Sequence, residues 1–481
     1  MKRLRVAVVG AGMGGIAAAV KLRRRTSAEI VIYEQSAGVG GTWFDNRYPG
    51  CEVDVHSHAY SFSFLKYDWK RSHATQPELL EYAEHVVDRF GLRPFLRLNT
   101  RVTDLVWEES SSTYTLSTST GDTEEFDVVI SALGLLSVPR YPEWPGLETF
   151  AGPCFHTSRW EEHDLTGKNV AVVGTGSTAV QIVPAIAPVA ASVHVFQREP
   201  GWIEPKNERE YTDRERRIFR TVPLAQRLHR AWIFHKGNQR FRGYDVRSRR
   251  QRRMREVCER FIAGSIADPA TRAAVTPGYP WGCKRPVLSS TFYPTLNRDN
   301  VELVPHAVTN VSPYGVTDAT GVSRDVDVLI LSTGFQPTKF LASLDVKGRD
   351  GRSIHDVWRE RASAFLGITV PGFPNFFMLY GPNTNGGVSV IAQLERQAEV
   401  VVRAVRRMER SRRTVDTSPE ATRRFVAWVD KRLATSASAM NSGCHNYYHD
   451  PSGHNVTQWP AGHLAYALAT RLIDRLGLRT R

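Results

Sequence analysis

The sequence predicts an α/β protein made of two nested dinucleotide-binding, Rossmann-like folds with a mostly helical insertion. Three observations predict it. A glycine-rich strand–turn–helix pattern opens the chain, and the same pattern returns in its second third. Two further apolar runs, each ending in small residues, read as strands leaving the two sheets near their ligands.

The first unit begins with the apolar run RVAVV at residues 5–9. Gly10-Ala11-Gly12-Met13-Gly14-Gly15 and the helix-forming IAAAVKLRRR follow, and a second apolar run at 30–33 ends at Glu34. Gly10 permits the tight turn, Gly12 lets the backbone approach a pyrophosphate, and Gly15 lets helix and strand pack closely. The helix N-terminus offers free N–H groups to phosphates. Glu34, nineteen positions after Gly15, is placed to accept from ribose hydroxyls.

The second unit, KNVAVVGTGSTAVQIVPAIA at 168–187, gives a strand, then Gly174-x-Gly176-x-x-Ala179, then a helix, with Ser177 and Thr178 in the turn. Its next strand, SVHVFQR, places Arg198 nineteen positions after Ala179, where the first unit has Glu34. A carboxylate repels a 2′-phosphate and an arginine attracts one. The expectation is therefore FAD in the first fold and NADPH in the second.

The apolar runs FDVVISALG (126–134) and VDVLILSTGF (326–335) give the nesting. The FAD domain's first part spans 1–140. The NADPH domain spans 141–332 and carries an Arg-rich helical insertion at about 205–280. Residues 333–481 return to the FAD domain and end in a substrate-side segment. The insertion is either a structural appendage or a substrate gate.

Bulk properties bound the remainder. A chain of 481 residues exceeds one ordinary core, which predicts two or three domains. With 41% hydrophobic and 23% charged residues, and no apolar run of membrane-spanning length, it reads as soluble and cytoplasmic. The basic and apolar start imitates a signal peptide, but the glycine motif accounts for it. The five cysteines form no C-x-x-C pair, so a disulfide framework, a zinc knuckle and a redox dithiol are not expected. The net charge of +14 raises nucleic-acid binding. However, the basic residues concentrate in RGYDVRSRRQRRMREVCERF (242–261), which reads as a solvated helix face without interleaved aromatics. No metal site is expected; His445, His449 and His454 lack a matching ligand pattern.

The stretch GGTWFDNRYPGCEVD (40–54) has neither helical nor strand periodicity. It resembles the G-G-T-W-x-x-N-R-Y-P-G-x-x-x-D segment of type I Baeyer–Villiger monooxygenases, which are FAD- and NADPH-dependent flavoproteins. Residues 150–160, FAGPCFHTSRW, resemble that family's F-x-G-x-x-x-H-x-x-x-W fingerprint. Lys284-Arg285-Pro286 with TFYPTLNRDNVEL after it, and GPNTNGG at 381–387, are further likenesses. They run in the family's order from about residue 6 to 395, over most of the chain. Glu161 departs from the family's usual Pro or Asp, and Tyr447 stands where relatives often carry a Trp that helps form the NADP-side wall.

The resemblance implies insertion of one oxygen atom beside a ketone carbonyl, giving an ester or lactone. NADPH reduces FAD, O2 adds as a flavin C4a-peroxide, and that anion attacks the carbonyl. Protein side chains bind, orient and stabilise charge while the cofactor carries the chemistry. By resemblance Arg285 stabilises the anion and also faces NADPH, and Asp54 orients Arg285 at the flavin edge. Gly41, Thr42 and Trp43 contact FAD, with Tyr60, Val102 and Val390 as further FAD contacts. Lys284 and Arg198 share the 2′-phosphate of NADPH, and His156 is a hinge residue. Tyr60, Phe62 and Phe64 alternate as one face of a buried strand would. The partners expected are a small ketone and O2, with neither nucleic acid nor membrane. The rival readings are an N- or S-oxygenating flavoenzyme, a flavin disulfide reductase, and a non-catalytic flavin- or nucleic-acid-binding protein.

Overall fold

The computed structural model describes residues 3–411, 413–438 and 443–480. Two five-stranded parallel sheets organise it. In the first, the strands run in the order Phe376–Met378, Val128–Ser131, Arg5–Val9, Glu29–Tyr33, Leu96–Arg97. In the second, the order is Val301–Val304, Ser192–Phe196, Asn169–Val173, Val328–Leu331, Cys154–His156. Each glycine-rich unit therefore has its first strand at the centre of its sheet. The crevice of an open parallel sheet lies there, beyond the strands' carboxyl ends.

The central strands Arg5–Val9, Val128–Ser131, Asn169–Val173 and Val328–Leu331 are mostly apolar because both faces are covered. In Arg5–Val9, Val6 and Val8 pack with Ala17, Ala18 and Val20 of the helix Met13–Arg25. Ala7 and Val9 face the other way, onto Leu105, Tyr114 and Leu116 of an antiparallel sheet built on Val102–Glu108 and Thr113–Thr118. The second sheet repeats this division. Val170 and Val172 join the large shared core, while Ala171 and Val173 pack on Val308, Val311 and Val316. The chain returns to the first sheet when Phe376–Met378 pairs with Val128–Ser131, with Met378 opposite Ser131.

The insertion forms four helices, Asp213–Thr221, Ala225–Phe241, Arg249–Ser265 and Pro269–Val275. Thr212 and Glu215 close a capping box on the first of them. Arg249–Ser265 buries Gln251, Cys258 and Ile262 and leaves most of its arginines at least partly exposed. Among the described residues no helix is long and apolar enough to cross a membrane.

Two expectations are corrected. Residues 57–64 form turns, not a strand: Ala59 and Tyr60 both donate to the His56 carbonyl. The Phe62 and Phe64 rings stack on each other at 4.9 Å, while Tyr60 pairs with Trp43. The aromatic alternation arises from tight turns that send neighbouring rings to different places. Cys283 and Cys444 are joined in a disulfide across 161 positions. No short cysteine spacing announces it, because the folding of the C-terminal segment onto the second domain creates it.

Candidate active site

A cavity of about 690 Å³ lies between the two folds, reached by residues of the first sheet, the opening irregular segment, the insertion and the C-terminal segment. At its floor, Gly10 has φ +105°, and an added Cβ would meet the Ala132 carbonyl oxygen at 2.7 Å. A Cβ on Gly15 would lie 1.8 Å from the Gly10 oxygen, so the helix could not pack as it does. Gly12 and Gly41 face each other, a Cβ on Gly41 falling 3.0 Å from the Gly12 Cα. Glu34 lines the cavity just past the second strand, its carboxylate oxygens accepting from the Ala11 N–H at 2.8 Å and the Ser36 N–H at 2.9 Å. Each carboxylate oxygen keeps a further lone pair for another donor.

The irregular segment folds over this floor. Thr42–Asp45 is a single helical turn beginning at Gly41, whose φ is +56°. Trp43 is buried, and its indole N–H donates to the Tyr60 hydroxyl at 3.3 Å. Burial pushes the Tyr60 phenol up to about 12, so it stays a neutral donor and acceptor. Val102, at the start of its strand, and Val390, first residue of the helix Val390–Ser411, line other parts of the cavity wall.

The segment then reaches across to the second fold. The Tyr48 hydroxyl donates to Gln181 Oε1 at 3.0 Å, and Gln181 Nε2 donates to the Glu52 carbonyl at 3.1 Å. Gly50, with φ +78°, lets the backbone pass where a Cβ would sit 2.6 Å from the main-chain carbonyl oxygen of Gln181. These contacts end in Asp54, whose Oδ2 accepts from Arg285 Nη2 at 3.5 Å. The Arg285 side chain lines the cavity. Burial pulls its guanidinium down, but the Asp54 carboxylate and the phenols of Tyr447, Tyr380 and Tyr244 more than offset this, and it stays above the ordinary arginine value.

In the second fold, Gly174 has φ +112°, and a Cβ would meet the Ser332 oxygen at 2.4 Å. A Cβ on Gly176, by contrast, would meet no protein atom within 4 Å, leaving open space at the turn. Ser177 lines the cavity, and Thr178 and Ala179 open the helix Ala179–Ile186. Gly10 N–H donates to the Tyr33 carbonyl and Gly174 N–H to the Phe196 carbonyl. The structural counterpart of Glu34 is therefore Gln197, which donates to the Ala274 carbonyl at 2.9 Å, and Arg198 stands one residue further out. The connection in the second unit is one residue shorter, which displaced the count from the glycines. Arg198 is exposed, and among the described residues no carboxylate lies within ion-pair distance of it. Lys284 Nζ is 2.5 Å from Glu199 Oε2; burial lowers its ammonium and Glu199 opposes that shift.

The structure brings in residues the sequence did not single out. Trp232, Lys236, Gly237, Arg240 and Phe241 of the insertion helix Ala225–Phe241 line the cavity, so the insertion supplies a wall of it. Glu204 Oε1 accepts from Arg240 Nη2 at 2.6 Å and from the Trp281 indole at 3.0 Å. Lys206, almost fully buried, is ion-paired with Glu52. Their signal, a mixed-charge IEPK stretch after the second unit, has no periodicity. Asn383 and Asn385 of GPNTNGG hold the C-terminal segment, Asn383 Nδ2 donating to the Asn455 carbonyl at 2.9 Å. His156 Nε2 lies 3.0 Å from the Gly334 carbonyl, joining the F-x-G-x-x-x-H stretch to the return strand's exit. Neither Cys283 nor Cys444 lines the cavity.

The donor set fits two dinucleotides. Each unit has a turn where only glycine fits and a helix N-terminus behind it. The first also has a carboxylate just past its second strand, and the second has open space at its turn.

The family profile of pyridine nucleotide-disulphide oxidoreductases matches residues 4–224. A Baeyer-Villiger monooxygenase of Streptomyces coelicolor is 38% identical, over 98% of this chain and 92% of the relative. A Baeyer-Villiger monooxygenase of Pseudomonas aeruginosa is 37% identical, over 98% and 90%. Among solved structures, oxidized steroid monooxygenase bound to NADP superposes with a TM-score of 0.89 at 30% identity, covering 100% of this chain and 99% of the other. OTEMO in complex with FAD and NADP gives 0.88 at 28% identity, with full coverage of both chains.

Proposed function

This chain belongs to the Baeyer–Villiger monooxygenase family, and from that premise we propose that it uses FAD, NADPH and O2 to convert a ketone into an ester or lactone, with Arg285 and Asp54 as its catalytic pair. The balance is ketone, O2, NADPH and a proton to ester, NADP⁺ and water. When bound, NADPH would supply the electrons and FAD would pass them to O2, the source of the inserted oxygen.

The chain's residues bind, orient and stabilise. Gly10, Gly12, Gly15 and Gly41 make room for one dinucleotide, and Glu34 takes its ribose. Thr42, Trp43, Tyr60, Val102 and Val390 surround it. Gly174, Gly176, Ser177, Thr178 and Ala179 form the second cradle, with Lys284 and Arg198 toward the coenzyme phosphate.

Arg285 supplies a permanent positive charge where negative charge develops on oxygen during insertion. Asp54 orients the guanidinium through one of its nitrogens and leaves the other donors of the fork uncommitted to it. Trp43, Tyr60, Phe241 and Tyr448 exclude water, which strengthens that electrostatic interaction. The observation that carries the reading is the Arg285–Asp54 contact on the wall of a cavity shared by both folds.

The same reading takes a small ketone and O2 as partners, places the protein in the cytoplasm, and assigns its positive charge to coenzymes and surface instead of nucleic acid. Product analysis of Arg285→Ala tests it. Ester formation should fall at least about a hundredfold while NADPH is still bound. Undiminished ester yield would refute the assignment.

A further inference from the structure

We infer that Glu199 sets how strongly this enzyme prefers NADPH over NADH, by holding Lys284 and presenting a negative charge where a 2′-phosphate would bind. The inference rests on the reading above that the second fold takes the nicotinamide coenzyme.

The second strand of that fold ends at Phe196, and the three residues after it are Gln197, Arg198 and Glu199. In dinucleotide folds this is the place where a carboxylate recognises the ribose 2′-hydroxyl and an arginine accommodates a 2′-phosphate. Here both occur side by side. Gln197 is buried and committed to the Ala274 carbonyl. Arg198 is exposed without a carboxylate partner among the described residues.

Lys284, the second cation expected to reach the phosphate, is engaged. Its Nζ lies 2.5 Å from Glu199 Oε2 and 5.3 Å from the centre of the Tyr279 ring. The pair is largely covered, with side-chain exposures of 23% and 21%, so its interaction is less screened than that of an open surface pair. Tyr279 is itself anchored, its hydroxyl donating to the Pro200 carbonyl. His445 Nδ1 lies 3.8 Å from the same Glu199 oxygen, next to the cysteine that is bonded to Cys283.

Two consequences follow for the coenzyme. A 2′-phosphate must compete with Glu199 for Lys284 and tolerate its negative charge, leaving Arg198 as the uncommitted attraction. A plain 2′-hydroxyl instead finds a carboxylate that accepts a hydrogen bond. Glu199 thus weakens NADPH and favours NADH, and the two nucleotides bind with a narrower gap than two free cations would produce.

The test is binding, read without turnover. NADP⁺ and NAD⁺ are titrated calorimetrically into the FAD-loaded enzyme for wild type, Glu199→Gln, Glu199→Ser and Lys284→Met. Flavin content and melting temperature serve as controls. The ratio Kd(NAD⁺)/Kd(NADP⁺) is expected to rise roughly tenfold in both Glu199 variants and to fall in Lys284→Met. The rise should shrink at high salt. A ratio within twofold of wild type in both Glu199 variants overturns the inference and leaves the parent reading intact. Binding of neither nucleotide by the wild type overturns both.

Discussion

Arg285 and Asp54 stand 231 positions apart in the chain and 3.5 Å apart on the wall of the cavity between the two folds. The contact is made by one guanidinium nitrogen, so the rest of the fork remains available. Arg285→Ala and Arg285→Lys should both lose oxygenation, Lys because a point charge on a flexible stem does not reproduce the fork. Asp54→Asn should lose less, about tenfold to a hundredfold, because it alters orientation without removing the cation. Product yield per NADPH consumed separates these losses from failures of coenzyme binding.

The glycines divide by what lies behind them. Gly15→Ala should destabilise the fold and empty the enzyme of flavin, because the new Cβ has the Gly10 oxygen 1.8 Å away. Gly176→Ala should leave the melting temperature unchanged, since nothing of the protein lies within 4 Å, and weaken NADP⁺ binding. Thermal melts and nucleotide titration of the two variants check the contrast.

Acid should destabilise the protein through its buried histidines. Burial, then the neighbouring His229 and Arg230, push His58 down to about 3; burial, then His56 and Lys206, do the same to His73. Asp68 opposes the shift at His58, whose Nδ1 lies 3.0 Å from Gln226 Nε2. Above the ordinary histidine value both states are neutral and nothing is lost. Below it the unfolded chain takes up protons that the native rings refuse, so stability falls as pH drops from about 6.5 toward 3. The loss should reach about 2 kcal/mol per ring by pH 5. Urea midpoints from pH 7.5 to 5 should fall, and His58→Phe should flatten the slope. A flat wild-type curve would contradict this.

The Rossmann units were legible because strand, glycine turn and helix are local patterns, and Arg5–Val9 occupies the residues its apolar run marks. The site was legible only through motifs, since no spacing could join Asp54 to Arg285 or Gln181 to the Glu52 carbonyl. Counting from the glycines misplaced Arg198 because one connection is a residue shorter than the other. Tyr60, Phe62 and Phe64 imitated a strand because turns also alternate rings. Glu204, Lys206 and Arg240 were hidden because only the packing of the insertion on the two folds pairs Glu204 with Arg240 and Lys206 with Glu52.

The Cys283–Cys444 bond ties the residue before Lys284 to the segment carrying Tyr447. Non-reducing digestion should yield one linked peptide pair, leaving Cys51, Cys154 and Cys258 as thiols. Dithiothreitol should lower the melting temperature by a few degrees. The Cys444→Ser variant should melt equally with and without reductant. Recovery of all five cysteines as free thiols from oxidised protein would contradict the bond.

Oxygen labelling tests ketone oxygenation by this enzyme. The FAD-loaded enzyme is given NADPH and ¹⁸O₂ with a panel of cyclic and linear ketones, and the products are read by mass spectrometry. The expected product is an ester or lactone carrying one ¹⁸O atom, formed in step with NADPH oxidation and lost in Arg285→Ala. NADPH oxidation that returns every ketone unchanged and releases all the oxygen as hydrogen peroxide would contradict ketone oxygenation.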